Sequence, residues 1–364
     1  MTGRAWGWVA HLRDGGTTPW RDWAGDAPAA GPSLPGAQQL ELLRRANLAG
    51  RPGAVLAERV LAVDPPRRAR PALPLLDGAP VPDHGPRPTD PGTVPDQELT
   101  RLAAVLLADD LAGHATRGAH RGWVRPWRIR YHLLGDPEHV EPLRRHLVAR
   151  GRPPGGYGGR VVVVGTDTGR MLVDVWTAHC FRHGAVPWPA WIDRRAARGP
   201  LPGPIDLVEI ARRERLRPGP NRVHLVTDPP LAARLLGVRR GPGAPASMAA
   251  SAVDLGRRVS AALRPMAEPG ARADVIAEVL RPVLAEAPGL PLVVPARHRA
   301  WLRDEAERLH HQVARGRYPV HGDPALVLPV DRAGVENPDV AETLALALRL
   351  LLSAALTPRP EEGP

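Results

Sequence analysis

Tyr131-His132-Leu133-Leu134-Gly135-Asp136-Pro137 is the stretch whose reading decides the fold. Together with Arg128-Ile129-Arg130 before it, it reads as a strand, a tight turn and the start of a helix. Asp136 is placed to cap a helix from about Val140 to Ala149. Pro137 falls in the first turn of that helix, where a missing N–H costs nothing. Val161-Val162-Val163-Val164 follows as a strand buried on both faces by its composition. Next come a helix carrying Met171, Leu172, Val175 and Trp176, another carrying Leu207, Ile210 and Leu216, and a strand at Val223-His224-Leu225-Val226. Strands alternating with helices at this spacing predict βαβ units. The expected fold is therefore α/β, three layers with a mainly parallel sheet between helices.

Outward from this centre the chain divides by composition. Residues 1–62 hold two helical patterns, the clearer one carrying Leu40, Leu42, Leu43 and Leu48 among Glu41, Arg44 and Arg45. Residues 63–97 are Pro-rich and read as a linker. Residues 98–330 are expected to form the α/β domain, opening with a helix over 97–112 and continuing with helices over 248–264, 272–286 and 296–315. Tyr318-Pro319-Val320 fits a short edge strand, where proline is tolerated. Residues 331–364 supply a last helix, from about Val340 to Leu356, and a fraying tail.

All 49 basic residues among the 364 are arginine, which excludes a P-loop lysine, a Schiff-base lysine and a lysine general base. One cysteine, Cys180, excludes a disulfide framework and Cys-rich zinc modules. The net charge of +11 is spread along the whole chain, and 3 Tyr and 1 Phe leave few residues to stack on bases apart from the 10 Trp, so no nucleic-acid partner is expected. The longest apolar stretch, Leu344 to Leu356, is too short to span a bilayer and is broken by Arg349. Without a signal-like N-terminus, the expectation is a cytoplasmic protein with no membrane insertion.

A repeat runs through the chain at an offset of 168. Trp8, His11, Gly16, Pro19, Trp20 and Trp23 recur as Trp176, His179, Gly184, Pro187, Trp188 and Trp191. The register continues from Glu41, Arg44, Arg45 and Leu48 to Glu209, Arg212, Arg213 and Leu216. Fixed spacing of rare residues marks duplication of a helix–turn–helix segment, with Pro in the first turn of its second helix. Arg59-Val60 to Asp64-Pro65-Pro66 echoes Arg222-Val223 to Asp228-Pro229-Pro230 in a shifted register. Gly15-Gly16-Thr17-Thr18 reads as the turn, with Thr18 capping the helix after it. His179 and His183, four apart on a helix, have metal-ligand spacing, but no third ligand lies near in sequence and His11 repeats His179 without such partners. Packing explains them better, and no metal site is expected.

Residues 128–329 resemble the bacterial sulfotransferases. Three stretches carry the resemblance: Tyr131 to Pro137 with its helix; Val161 to Val164 with Thr166, Asp167, Arg170 and Trp176, joined by Asn221 to Pro230; and Leu292 to Pro295, Arg299-Ala300-Trp301 and Tyr318 through Pro329. The resemblance implies a P-loop-like fold that takes phosphoadenosine phosphosulfate as sulfuryl donor. It would place Gly135, Asp136, Thr166, Asp167 and Arg170 at the cofactor, with His139 or Glu141 as base.

The residues depart from that family's chemistry. Its phosphosulfate loop is rich in Gly, Lys, Ser and Thr, which bring amides and positive charge to the anion. Here Gly135 to Pro142 offers Asp136, Glu138 and Glu141 and two prolines, and Thr166 stands where the family has arginine. The same Tyr-x-x-x-Gly-Asp-Pro wording recurs at Tyr318 to Pro324, in keeping with a structural cap. The expectation is a catalytically degenerate member acting as a binding or regulatory partner of another protein. The alternatives are an active sulfotransferase with an arginine-based donor site, and an interaction scaffold without nucleotide binding. The donor serves as cofactor only if the protein is active.

Overall fold

A computed structural model of the chain describes residues 2–28, 33–63, 72–77, 85–114, 131–155, 159–216, 222–239, 241–243, 245 and 247–357. Arg128-Ile129-Arg130, Asp64-Pro65-Pro66, Asn221 and much of the Pro-rich stretch lie outside the described residues. The chain runs α1 (Thr2–Arg13), α2 (Ala37–Gly50), α3 (Ala54–Ala62), α4 (Asp96–Ala112), β1 (Tyr131–Gly135), α5 (Pro137–Ala149), β2 (Arg160–Val164) and α6 (Thr168–His183). It continues with α7 (Trp188–Ala197), α8 (Leu207–Arg215), β3 (Arg222–Val226), α9 (Pro229–Leu235), α10 (Ala250–Leu263), α11 (Pro269–Val275), α12 (Arg281–Ala285), α13 (Arg299–Arg315), β4 (Val320–His321) and α14 (Val340–Ser353).

The contacts group these elements into two units. The first comprises residues 1–118, 251–287 and 338–364, and among the described residues its long elements are all helical. The sequence boundaries at 98 and 331 are corrected here. The Leu-rich face of α4 (Leu99, Leu102, Leu106, Leu107) packs on α14 and α2, so both late helices join the N-terminal ones. Burial of apolar surface decides membership, at roughly 1.5–3 kcal/mol per buried leucine, and chain order does not. The helix expected over 272–286 is interrupted by a π-helical turn at Ile276–Leu280. Pro282, just beyond it, has no N–H for the carbonyl four residues back.

The second unit comprises residues 119–250 and 288–337 and holds the sheet. Among the described residues it has four strands, all parallel, in the order β1-β2-β3-β4. Their order never reverses, so among the described residues the sheet has no switch-point crevice of the doubly wound kind. Tyr131, Leu133, Val162, Val164 and Val226 form one buried cluster with Val140, Leu143 and Leu147 of α5 and Ala232, Ala233 and Leu236 of α9. By strand alternation Val161, Val163 and Leu225 face the other way, and they are buried too. Burial pushes the Tyr131 phenol up to about 12, and its hydroxyl donates to the Arg152 carbonyl at 2.9 Å.

The repeated Gly-Asp-Pro wording folds the same way twice. Gly135 and Gly322 close β1 and β4 with φ of +103° and +102°, which only glycine adopts without strain. A Cβ on Gly135 would stand 2.0 Å from the Val164 carbonyl oxygen. Asp136 then accepts the Glu138 N–H at 3.1 Å, and Asp323 accepts the Ala325 N–H at 2.8 Å. The cap expected from sequence is the structure found.

The duplicated segment is equally clear. Trp8 Nε1 donates to the Thr18 carbonyl and Trp176 Nε1 to the Val186 carbonyl, each at 2.9 Å. Trp8 meets Trp20 at 5.2 Å between ring centres, and Trp176 meets Trp188 at 5.4 Å. Three expectations fail. Thr18 caps no helix: its hydroxyl pairs with His11 Nε2 at 3.1 Å. The first copy continues only as a short 3₁₀ turn at Trp20–Asp22, and the prolines Pro19 and Pro187 stand one residue ahead of their helices. Arg59-Val60 lies in a helix and Arg222-Val223 in a strand, so that echo is one of wording alone.

Candidate functional site

A cavity of about 420 Å³ opens at the carboxyl end of β2, between α5 and α9, inside the second unit. Val164 and Thr166 give its floor, α5 contributes Glu138, His139, Pro142 and Leu143, and α9 contributes Pro229, Pro230, Ala232 and Ala233. Four arginines line it: Arg170 from α6, Arg234 from α9, Arg239 from the loop after α9, and Arg332 from the segment after β4. Glu138 is the one carboxylate among the lining residues.

The arginines differ in what holds them. Arg170 donates through Nε to Asp174 Oδ2 at 3.2 Å and through Nη2 to the Pro245 carbonyl at 3.0 Å. Arg332 pairs with Asp167 at 2.8 Å. The guanidinium groups of Arg234 and Arg239 have no ion-pair or hydrogen-bond partner among the described residues. A guanidinium without a carboxylate at a concave wall is free to bind an anion bidentately.

Behind His139 lies a polar knot. Asp136 is fully buried and accepts the Thr166 hydroxyl at 2.8 Å and His139 Nδ1 at 3.1 Å, besides the Glu138 amide. This holds the His139 ring by one nitrogen and leaves Nε2 without a partner among the described residues. Asp174, also buried, brings its carboxylate into the same knot, so that Asp136, His139 and Asp174 each offer an atom within 4.8 Å of the others. That spacing alone would suit a small cation. All three groups already have bonding partners, and we assign them no ion. Burial first, then the charge of Asp136, raises the Asp174 carboxyl well above the ordinary carboxylate range, with Arg170 opposing.

The backbone offers an anion little here. His139 and Val140 give their N–H groups to the Asp136 carbonyl at 3.3 and 2.9 Å. Pro229 and Pro230 have none to give, and the Leu231 N–H goes to the Asp228 carbonyl.

Of the residues expected at the site, His139, Thr166 and Arg170 line the cavity. Gly135 shapes the turn, and Asp136 caps α5 behind the wall. Asp167 caps α6, accepting the Arg170 N–H at 3.0 Å, and anchors Arg332. Glu141 is corrected: it does not line the cavity and pairs with Arg144 at 2.7 Å on a partly exposed helix face. Arg234, Arg239 and Arg332 were not singled out by sequence, because nothing local separates them from 46 other arginines (49 less these three). Arg297 and His298, outside the cavity, both bind Asp193, at 2.8 and 2.7 Å.

Comparison of the chain with protein-family models, curated proteins and solved structures finds no match. Among the described residues no helix is long and apolar enough to cross a membrane.

Proposed function

We propose that this protein binds a small anionic ester, a phosphate or sulfate of nucleotide size, in the cavity at the carboxyl ends of the strands. The observation that carries this reading is the pair of guanidinium groups of Arg234 and Arg239, unpaired among the described residues, on a concave wall whose described lining carries four arginines and one carboxylate. The loop after β1, where the sulfotransferase resemblance would put the phosphosulfate, serves as a helix cap in this reading. Arginines from α6, from α9 and its following loop, and from the segment after β4 supply the charge that loop lacks.

The three-layer, P-loop-like arrangement and the phosphoadenosine-type donor belong to the same proposal. So does a binding or regulatory role toward a protein partner, favoured by the α5 amides being closed by Asp136 rather than open to a ligand. A second reading has its own support, the His139 ring held by Asp136 at the cavity wall. There His139 Nε2 takes the proton of an acceptor hydroxyl, whose oxygen attacks the sulfur. The sulfur–oxygen bond to the donor phosphate breaks, and the bisphosphate nucleotide leaves.

Calorimetric titration with adenosine 3′,5′-bisphosphate, and with adenosine as the uncharged control, tests the proposal. Binding of the first and not of the second is expected. Equal binding of both, or of neither, overturns it. Sulfuryl transfer to a hydroxylated acceptor, lost in His139→Gln, would select the second reading.

A further inference from the structure

The buried carboxylate of Asp174 has a consequence for how an anion enters. Among the described residues its ion-pair partner is the Arg170 guanidinium, and that same guanidinium lines the cavity. Arg170 is therefore claimed from two sides: Asp174 on its own helix, and any anion arriving from the cavity. The other charges acting on Asp174 come from the β1–α5 corner, where Asp136 and Glu138 are like-charged and His139 Nδ1 is already bonded to Asp136. Asp174 is buried, with a side-chain exposure of 10%.

We propose that anion binding in this cavity is coupled to proton uptake by the protein: a ligand that engages Arg170 takes the cationic partner of Asp174, and Asp174 accepts a proton in its place. The inference rests on the cavity being an anion site. A buried carboxylate that loses its cation beside a second carboxylate is strongly disfavoured in its ionised form, and a proton is the least costly replacement. The ligand class is thereby narrowed to anions that bind together with a proton, so that affinity falls as pH rises. The balance is simple: one solvent proton forms one O–H bond on Asp174, and nothing is oxidised or reduced. The elevated position of this carboxyl in the free protein has the same origin, and in acid the proton is already in place and none is taken up.

Inorganic sulfate is the probe, because it does not itself titrate between pH 6 and 9. Calorimetric titration of the full chain in two buffers of different ionisation enthalpy gives the number of protons bound per sulfate. Uptake is expected to rise from near zero at the acid end toward about one proton as Asp174 becomes ionised in the free protein. Asp174→Asn is expected to bind sulfate with no uptake at any pH. Arg170→Gln gives an independent check that leaves Asp174 itself intact: Asp174 then carries its proton beforehand, and uptake vanishes while the other arginines still hold sulfate. Binding with zero uptake throughout, or uptake unchanged in both variants, overturns the coupling but leaves the anion site standing. An absence of sulfate binding removes the site and the coupling together.

Discussion

The two copies of the duplicated segment, residues 8–48 and 176–216, keep the same bonds in different company. Each has a tryptophan indole donating to a carbonyl ten residues on, at 2.9 Å, and each has that ring against a second tryptophan. Each also has one glutamate clasped by arginines three and four residues later. The first copy stands in an all-helical unit, where Glu41 is buried and His11 lies stacked on Trp23 at 4.5 Å. The second stands beside the sheet, where Glu209 keeps a side-chain exposure of 28% and its two exposed arginines hold its carboxyl down at about 2. Its first helix, α6, carries Arg170 at the cavity, where the matching position of α1 holds Thr2. The shared part is scaffold, and the chemistry sits on a residue the first copy does not share.

The tryptophans test whether the copies are equivalent. Trp8→Ala and Trp176→Ala each remove a fully buried ring and are expected to cost about 3–5 kcal/mol in denaturant unfolding. A large difference between the two would break the comparison. The glutamates should differ instead. Glu41→Gln leaves Arg44 partly buried without its carboxylate, for an expected loss of about 3 kcal/mol. Glu209→Gln should leave the unfolding midpoint unchanged within scatter, because solvent screens exposed pairs. Equal losses at the two positions would mean that the burial difference carries no energy.

The smallest expected effect concerns pH. Burial first, then Arg195, Arg182 and His183, lowers the affinity of the second copy's His179 for a proton. Below about pH 6.5, where an unfolded histidine binds its proton, the unfolded state takes up more protons than the folded one. The contribution of His179 is therefore present above that pH and lost as pH falls through its lower folded value. A His179→Gln variant should lose less stability between pH 7 and 5 than the parent. His224 on β3, lowered by burial and by His321, adds to the same acid limb from outside the repeat.

Much of this was legible in residue order. Four consecutive valines fix β2, Gly-Asp-Pro fixes the turn into α5, and the spacing of rare tryptophans marks two segments that keep matching bonds. What residue order left hidden was assembly. The leucine stripe of α4 says that it is buried but not against which helix, and α14 lies more than two hundred residues away. The site was half legible for the same reason. The loop after β1 correctly reads as a cap, yet an acidic, proline-rich loop says nothing about arginines that the fold brings in from α6, α9 and the segment after β4. With arginine so common, only their meeting at one cavity distinguishes them.

The direct measurement is the affinity of the full chain for adenosine 3′,5′-bisphosphate in the parent and in an Arg234→Gln/Arg239→Gln double variant, across a series of salt concentrations. The account predicts affinity that falls with salt, a loss of at least about tenfold in the variant and a shallower salt slope. Identical affinity and identical salt slope in the two proteins would contradict it.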